Sequence, residues 1–365
     1  MINAKGVARV AFAAEVVLLA VGGAAFGQTH APWPTDWNNW SDPALWVTVG
    51  NKGNTGELSG AGAGGIGPDR ICGAVNYEYR IGKYEVTAGQ YTAFLNAVAA
   101  TDTYGLYDVE MWSDSTYGCR IKRSGSSGNY TYSVASDWAN RPVNDVSWGD
   151  AARYANWLTH GQPTGGQNLT TTEDGSYYLN GAISNAALMA VTRKTVAEGG
   201  RYYIPTEDEW YKAAYHKNDG STGNYFDYPI ASDSVPSNDL IDPDPGNNAN
   251  FAVSWPGDVT IGSPYYRTPV GEFELSDSPY GTFDQSGNVW EWNEAVIESW
   301  RGLRGGSFSG NDGYLHAAHR HIGAFSPSSG YSSIGFRVSE VPEPATMSLL
   351  ALGGLALVAR RRKKN

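Results

Sequence analysis

Three stretches of this chain carry apolar residues at the spacing of one helix face, and each opens on the same start signal. Thr87-Ala88-Gly89-Gln90 has the form of a capping box, in which the threonine hydroxyl takes an early amide and the glutamine reaches back. Tyr91, Phe94, Leu95 and Val98 follow at i, i+3, i+4 and i+7. Ser147-Trp148-Gly149-Asp150 starts a second helix, with Ala151, Tyr154, Ala155 and Leu158 at the same spacing. Thr206-Glu207-Asp208-Glu209 starts a third, after Pro205 and before Trp210, Ala213 and Ala214, and its acids suit the positive end of the helix dipole. Each acid-rich start could also be read as a metal or catalytic cluster; capping accounts for all three with one mechanism. Polar loops at 124–129, 161–175 and 232–250 separate these segments. The last holds Asp242-Pro243-Asp244-Pro245-Gly246, which has the acids of a calcium loop but prolines that break the ligand alternation. Residues 28–70 read as an N-terminal strand or arm followed by a flexible loop rich in glycine. No internal repeat is present.

The two ends read as addresses. Lys5 and Arg9, an apolar run from Val10 to Phe26 interrupted by Glu15, and Ala25-Phe26-Gly27 predict a secretory signal over residues 1–27. At the other end Val341-Pro342-Glu343-Pro344 precedes an apolar stretch, Ala345 to Ala359, and a basic stop at residues 360–364. This tail, residues 341–365, resembles the PEP-CTERM sorting signal of Gram-negative bacteria. The resemblance implies exosortase-type sorting machinery as a partner, and a location in the periplasm, at the cell surface or in extracellular matrix. The basic cluster holds the end on the cytoplasmic side. An apolar run of about 15 residues is short for a permanent span, which suits a transient membrane anchor; a permanent one is the alternative.

Composition narrows the picture. The formal charge is −11; without Lys5, Arg9, Glu15, Glu343 and the basic cluster at 360–364, 19 basic and 35 acidic residues remain, a balance of −16. Such a field repels nucleic acid and suits divalent cations or cationic partners. Many Trp, Tyr and Gly with few charges favour turns pinned by buried aromatic rings. The two cysteines, Cys72 and Cys119, could form one disulfide in an oxidising compartment or remain two buried thiols.

The densest chemistry lies in Asp284-Gln285-Ser286-Gly287-Asn288-Val289-Trp290-Glu291-Trp292. If the chain folds back there, the Asp284 and Glu291 carboxylates and the Gly287 and Val289 carbonyls could surround one calcium ion; the plainer alternative is an aromatic-rich turn with its acids in water. Gly287-Asn288-Val289-Trp290-Glu291-Trp292, Arg304-Gly305-Gly306-Ser307-Phe308 and Ile334-Gly335-Phe336-Arg337-Val338 resemble the C-terminal core of the formylglycine-generating enzyme family, the sulfatase-modifying factor domains. In the same order upstream stand Tyr79-Arg80-Ile81-Gly82-Lys83-Tyr84-Glu85-Val86-Thr87, Arg141-Pro142-Val143-Asn144-Asp145-Val146-Ser147-Trp148 and Tyr203-Ile204-Pro205-Thr206-Glu207-Asp208-Glu209-Trp210. The resemblance covers residues 71–340 and implies an α+β fold, a single irregular, loop-rich domain with few helices and short antiparallel strands, related to C-type lectin-like domains. It also implies a second calcium near Asn250 and the Phe251 carbonyl, although the acidic partner expected near Gly262-Ser263-Pro264 is missing.

The oxidase members of that family hold copper on a cysteine pair. The matching positions here fall at about Gly310 and Leu315, in an interval without cysteine, so copper and formylglycine formation are not expected. His316, His319 and His321 stand in the same interval and suggest an alternative, a histidine-based metal site on a metal-dependent oxidoreductase; on a strand His319 and His321 would share a face and His316 would point elsewhere. No nucleophile elbow, zinc-protease signature or phosphate loop is present. The expectation is therefore an exported, calcium-stabilised module binding a surface polysaccharide or a protein ligand, without nucleic acid.

Overall fold

Each of the three start signals caps a helix. Thr87 Oγ1 accepts the Gln90 amide while Gln90 Oε1 accepts the Thr87 amide, and Ser147 with Asp150 and Thr206 with Glu209 repeat the exchange. The computed structural model describes residue 36, residues 38–321 and residues 325–342. The leader at 1–27 and the sorting tail from 343 onward lie outside the described residues. In chain order the first elements are β1 (Trp46–Val49), β2 (Glu57–Ser59), β3 (Arg70–Cys72), β4 (Tyr79–Gly82), α1 (Ala88–Val98) and α2 (Glu110–Ser113). Then come β5 (Ile121–Ser124), β6 (Thr131–Val134), α3 (Ser136–Ala139), α4 (Trp148–Thr159), α5 (Asn185–Ala190), β7 (Tyr202–Tyr203) and α6 (Glu207–Tyr215). The chain continues through β8 (Ala252–Ser254), β9 (Asp258–Val259), β10 (Trp290–Ile297), β11 (Trp300–Arg304), β12 (Ile334–Gly335) and β13 (Ser339–Glu340).

Two small sheets organise this α+β domain. One runs β1-β4-β13-β7, antiparallel throughout, so the last described strand sits in its interior. The other runs β11-β10-β12, with β10 and β11 antiparallel and β12 parallel to β10. The predicted apolar faces of α1 and α4 meet: Phe94 packs edge-on against Tyr154 at 5.1 Å between ring centroids, and Phe336 meets Tyr154 at 5.3 Å. Edge-to-face pairs of this kind add to the gain from burying the rings. Trp292 is fully buried and donates its indole N–H to the Val146 carbonyl at 3.0 Å, so the ring anchors the second sheet without leaving a polar atom unmatched.

One expectation changes, and one open alternative closes. The glycine-rich stretch after β1 is not a loose loop: Gly65 and Gly67 lie against the Ala318 and Arg320 backbones, where an added Cβ would sit 2.1 and 2.4 Å from their carbonyl oxygens. Glycine is used there for close approach. Cys72 and Cys119 are free thiols, each fully buried in a different cluster, Cys72 beside Trp210 and Tyr211 and Cys119 beside Tyr107 and Val146. Separate packing holds them apart, and no disulfide forms.

The acidic loop at 242–246 is pinned internally, because the Asp244 carboxylate accepts from the Gly246 and Leu275 amides, Asn248 Nδ2 and Ser276 Oγ. Gly287 makes the tightest approach near the second sheet: at φ +88°, its Cβ would stand 2.0 Å from the Asn250 carbonyl oxygen. Gly287→Ala is expected to cost at least about 2 kcal/mol, read as a lower midpoint in a denaturant melt.

Candidate functional site

The residues of the Asp284–Trp292 stretch separate in space. Glu291, fully buried at the start of β10, takes Arg337 Nε and Nη2 at 2.6 Å each and the Trp210 indole N–H at 2.7 Å. Both of its oxygens are engaged by a guanidinium. Asp284 accepts the Gly271 amide at 2.6 Å and faces a cavity of about 10 Å³ shared with Ser276 and Ser286, room for one water. Burial pushes the Asp284 carboxyl up to about 7. Gly287 bonds to Gly305 O through its amide, and the Val289 amide goes to Glu85. Near the second expected ion, the Phe251 carbonyl is taken by the Thr260 amide and hydroxyl, whereas Asn250 Oδ1 is buried without a protein partner. At the four expected positions, then, Glu291 faces Arg337 and Trp210, and Asp284 faces the Gly271 amide.

The three histidines lie in a turn and the irregular segment after it, not on a strand, so the face-sharing argument from spacing does not apply. His319 and His321 lie beside Trp290, 6.1 Å apart by ring centroids, while His316 turns to Asp227 at 3.7 Å. Burial drives His319 down to about 3 and His321 to about 4, so both rings are neutral. Among the described residues, no group of three or more His, Cys, Asp or Glu is arranged to hold a metal ion. At the positions matching the copper cysteines, the Tyr314 ring leans on Gly310 and Leu315 packs with Tyr228, Ile230 and Phe251. A donor set of glycine and leucine does not fit copper.

Function-like chemistry gathers elsewhere. Asn144 Oδ1, Asp145 Oδ2, Asn250 Oδ1, Arg267 Nε and Nη2, and Thr268 Oγ1 are buried side-chain atoms without a protein partner. Shared contacts show that they are neighbours. Asn144 Nδ2 and Arg267 Nη1 both donate to the Tyr117 carbonyl, at 2.8 and 2.6 Å, and Asn288 Oδ1 accepts from both the Thr268 amide and Asn250 Nδ2. Asn288 in turn donates to Glu85 at 3.0 Å. Buried polar atoms are normally paired with protein or ordered water, and here several unpaired ones lie close together. Asp145, Tyr266 and Asn288 hold φ near +58, +55 and +58°, and strained backbone of this kind collects at ligand sites. Burial raises the Asp145 carboxyl to about 7, and burial lowers the Arg267 pKa.

Over these groups stand four aromatic rings. Tyr117, Trp255, Tyr266 and Phe308 contact one another pairwise at 5.1–6.0 Å between centroids. Trp255 is 40% exposed, Tyr117 and Tyr266 are half-buried, and Phe308 forms the floor, 5.8 Å from the Arg267 guanidinium. The donors and acceptors beneath the rings are buried, and Trp255 is the exposed part of the cluster. Sequence reading missed Arg267, Thr268, Asn144 and Asp145 as site residues; the run Tyr265-Tyr266-Arg267-Thr268, aromatic then cationic, was the available signal.

Residues 70–341 match the family model for the sulfatase-modifying factor enzyme 1-like domain. The chain belongs to this family. Residues 340–363 match the PEP-CTERM protein-sorting motif, so this family member is exported in a Gram-negative bacterium and carries a C-terminal membrane-anchoring signal read by exosortase machinery. No curated protein matches the chain. Among solved structures it is similar to CarF, with 22% identity over 82% of this chain and 98% of that one and a TM-score of 0.45. It is also similar to Treponema denticola variable protein 1, with 18% identity over 81% and 95% and a TM-score of 0.48. PvdO from Pseudomonas aeruginosa has 18% identity over 81% and 94% and a TM-score of 0.44. These likenesses concern the fold and say nothing of ligand or activity.

The family frame here rests on buried ion pairs whose titration is predictable. Burial alone would raise the Glu207 carboxyl, but Arg304, Arg320 and Arg70 outweigh it and hold it down to about 2. A folded pKa below the unfolded value of about 4.3 adds stability that is complete above that value and lost as pH falls toward 2. Glu207→Gln is therefore expected to flatten the acid limb of a stability–pH curve. At the second pair, Glu291→Gln is expected to cost about 3–5 kcal/mol, because Arg337 is left buried without its partner. The loss should be the same with and without a calcium chelator, measured by denaturant unfolding.

Proposed function

We propose that this exported sulfatase-modifying factor domain is a binding module for hydroxyl-rich surface or matrix polysaccharide and has no copper-dependent formylglycine oxidase activity. The observation that carries this reading is the set of unpaired polar atoms at Asn144, Asp145, Asn250, Arg267 and Thr268 beneath Tyr117, Trp255, Tyr266 and Phe308. Sugar rings offer flat C–H faces to aromatic side chains, and the exposed Trp255 ring is the face of the site that such a ligand reaches first. The absence of sulfur at Gly310 and Leu315 supports the negative half of the proposal. Calcium keeps support at one point, Asn250 Oδ1, a buried oxygen without a donor; Glu291 gives it none.

The test is binding of the purified protein to a glycan array and to polysaccharide from the producing cell. Trp255→Ala and Thr268→Val are each expected to weaken binding by about tenfold, roughly 1.4 kcal/mol, with unchanged melting midpoints. Binding to no polysaccharide, or copper-dependent oxidation of a sulfatase-derived peptide, would remove the reading.

A further inference from the structure

Arg153, Arg304, Arg320 and Arg337 are buried, and each turns the same edge of its guanidinium, Nε with Nη2, onto a carboxylate. Arg153 meets Glu173, Arg304 and Arg320 meet Glu207, and Arg337 meets Glu291. Arg267 is fully buried too, but its Nε and Nη2 have no partner. Its third nitrogen, Nη1, donates to the Tyr117 carbonyl at 2.6 Å and to the Ser332 carbonyl at 3.5 Å. Arg301, which also meets no carboxylate, places two nitrogens on the carbonyls of Glu294, Leu188 and Val191.

A buried charge is costly unless it is paired, and the acids that feel the Arg267 charge do not pair with it. Glu85 accepts from Asn288 and the Val289 amide, and Asp114 accepts from the Thr116 and Tyr117 amides. Asp145 forms no ion pair among the described residues, and its Oδ2 is itself without a partner. The free edge of Arg267 has the shape that the other four arginines use: two parallel N–H donors that match the two oxygens of a carboxylate. Thr268 Oγ1, on the next residue, is a further buried group without a partner.

We propose that the Nε–Nη2 edge of Arg267 is a receptor for the carboxylate of a sugar acid, so that the polysaccharide bound at this site carries uronate groups. The polymer part of this inference rests on the binding function proposed above; the carboxylate part rests on Arg267 alone. The edge lies beneath the rings of Tyr117, Tyr266 and Trp255, and the carboxylate enters as these rings part. The chain is acidic overall, at −11, so its field draws no polyanion from a distance. Recognition is left to the one buried edge, where salt screens little.

The experiment uses the purified protein with three probes: free glucuronate, polygalacturonate, and the methyl ester of polygalacturonate, in which the same backbone has its carboxylates masked. Glucuronate is expected to raise the melting midpoint by a few degrees, and the acid polymer to bind about tenfold tighter than its ester. Arg267→Lys keeps the charge without the paired edge, and Arg267→Met removes both; each is expected to lose both effects. Removing the guanidinium strands no carbonyl, because Asn144 Nδ2 still donates to those of Tyr117 and Ser332, at 2.8 and 2.5 Å. Without ligand, Arg267→Met is therefore expected to melt no lower than the parent. A parent midpoint unmoved by glucuronate, effects that survive in Arg267→Met, or an unliganded Arg267→Met chain that melts well below the parent overturns the inference. Equal, measurable affinity for polymer and ester also overturns it but leaves the polysaccharide reading standing. A glucuronate response with neither polymer bound removes that reading and keeps the Arg267 receptor.

Discussion

The bidentate pair between Glu291 and Arg337 sits where four parts of the chain converge. Arg337, between β12 and β13, reaches Glu291 on β10, the Gly82 carbonyl at the end of β4 and the Phe283 carbonyl ahead of the aromatic block; Trp210 of α6 closes the group from the other side. A buried ion pair is a poor source of net stability, since desolvation of both charges offsets most of their attraction. Its value here is geometric: one charge pair fixes two sheets and a helix in a single arrangement. The same pair sets the surroundings of the aromatic block, because it places a guanidinium and an indole N–H against the Glu291 carboxylate.

A second set of ion pairs repeats this logic at the start of α6. Glu207 meets Arg304, Arg320 and Arg70, Asp208 meets Arg70, and Glu209 meets Arg193 and the Tyr77 hydroxyl. Three consecutive acids therefore have three destinations, and Glu209 alone completes the capping box. These contacts line a cleft of about 720 Å³, but its charges are matched within the fold. The aromatic cluster around Arg267 differs in leaving several buried side-chain atoms without a protein partner.

Much of the frame was legible along the chain. Capping boxes and helix faces are local, decided within one turn by spacing and hydroxyl chemistry, and all three formed where the residues placed them. The ordered blocks, from Arg80 to Arg337, carried the family and the fold class. The candidate site was far less legible. Asn144, Asp145, Asn250, Arg267 and Thr268 come from three distant stretches, and what marks them is the absence of a partner in three dimensions, which no spacing rule expresses.

Local sequence thus determined where helices begin, which residues face inward, that the C-terminal end carries a sorting motif, and that no sulfur stands at Gly310 or Leu315. Tertiary structure decided how the charges are spent. Asp284 and Glu291 looked like two ligands of one ion because they are seven residues apart; the fold gives one to a backbone amide and the other to Arg337, forty-six residues later. Cys72 and Cys119 looked like a pair because they are the two cysteines present, and they pack in different clusters. A buried charge takes the strongest partner that the whole fold brings within reach, and that choice is made by long-range packing rather than by neighbours in sequence.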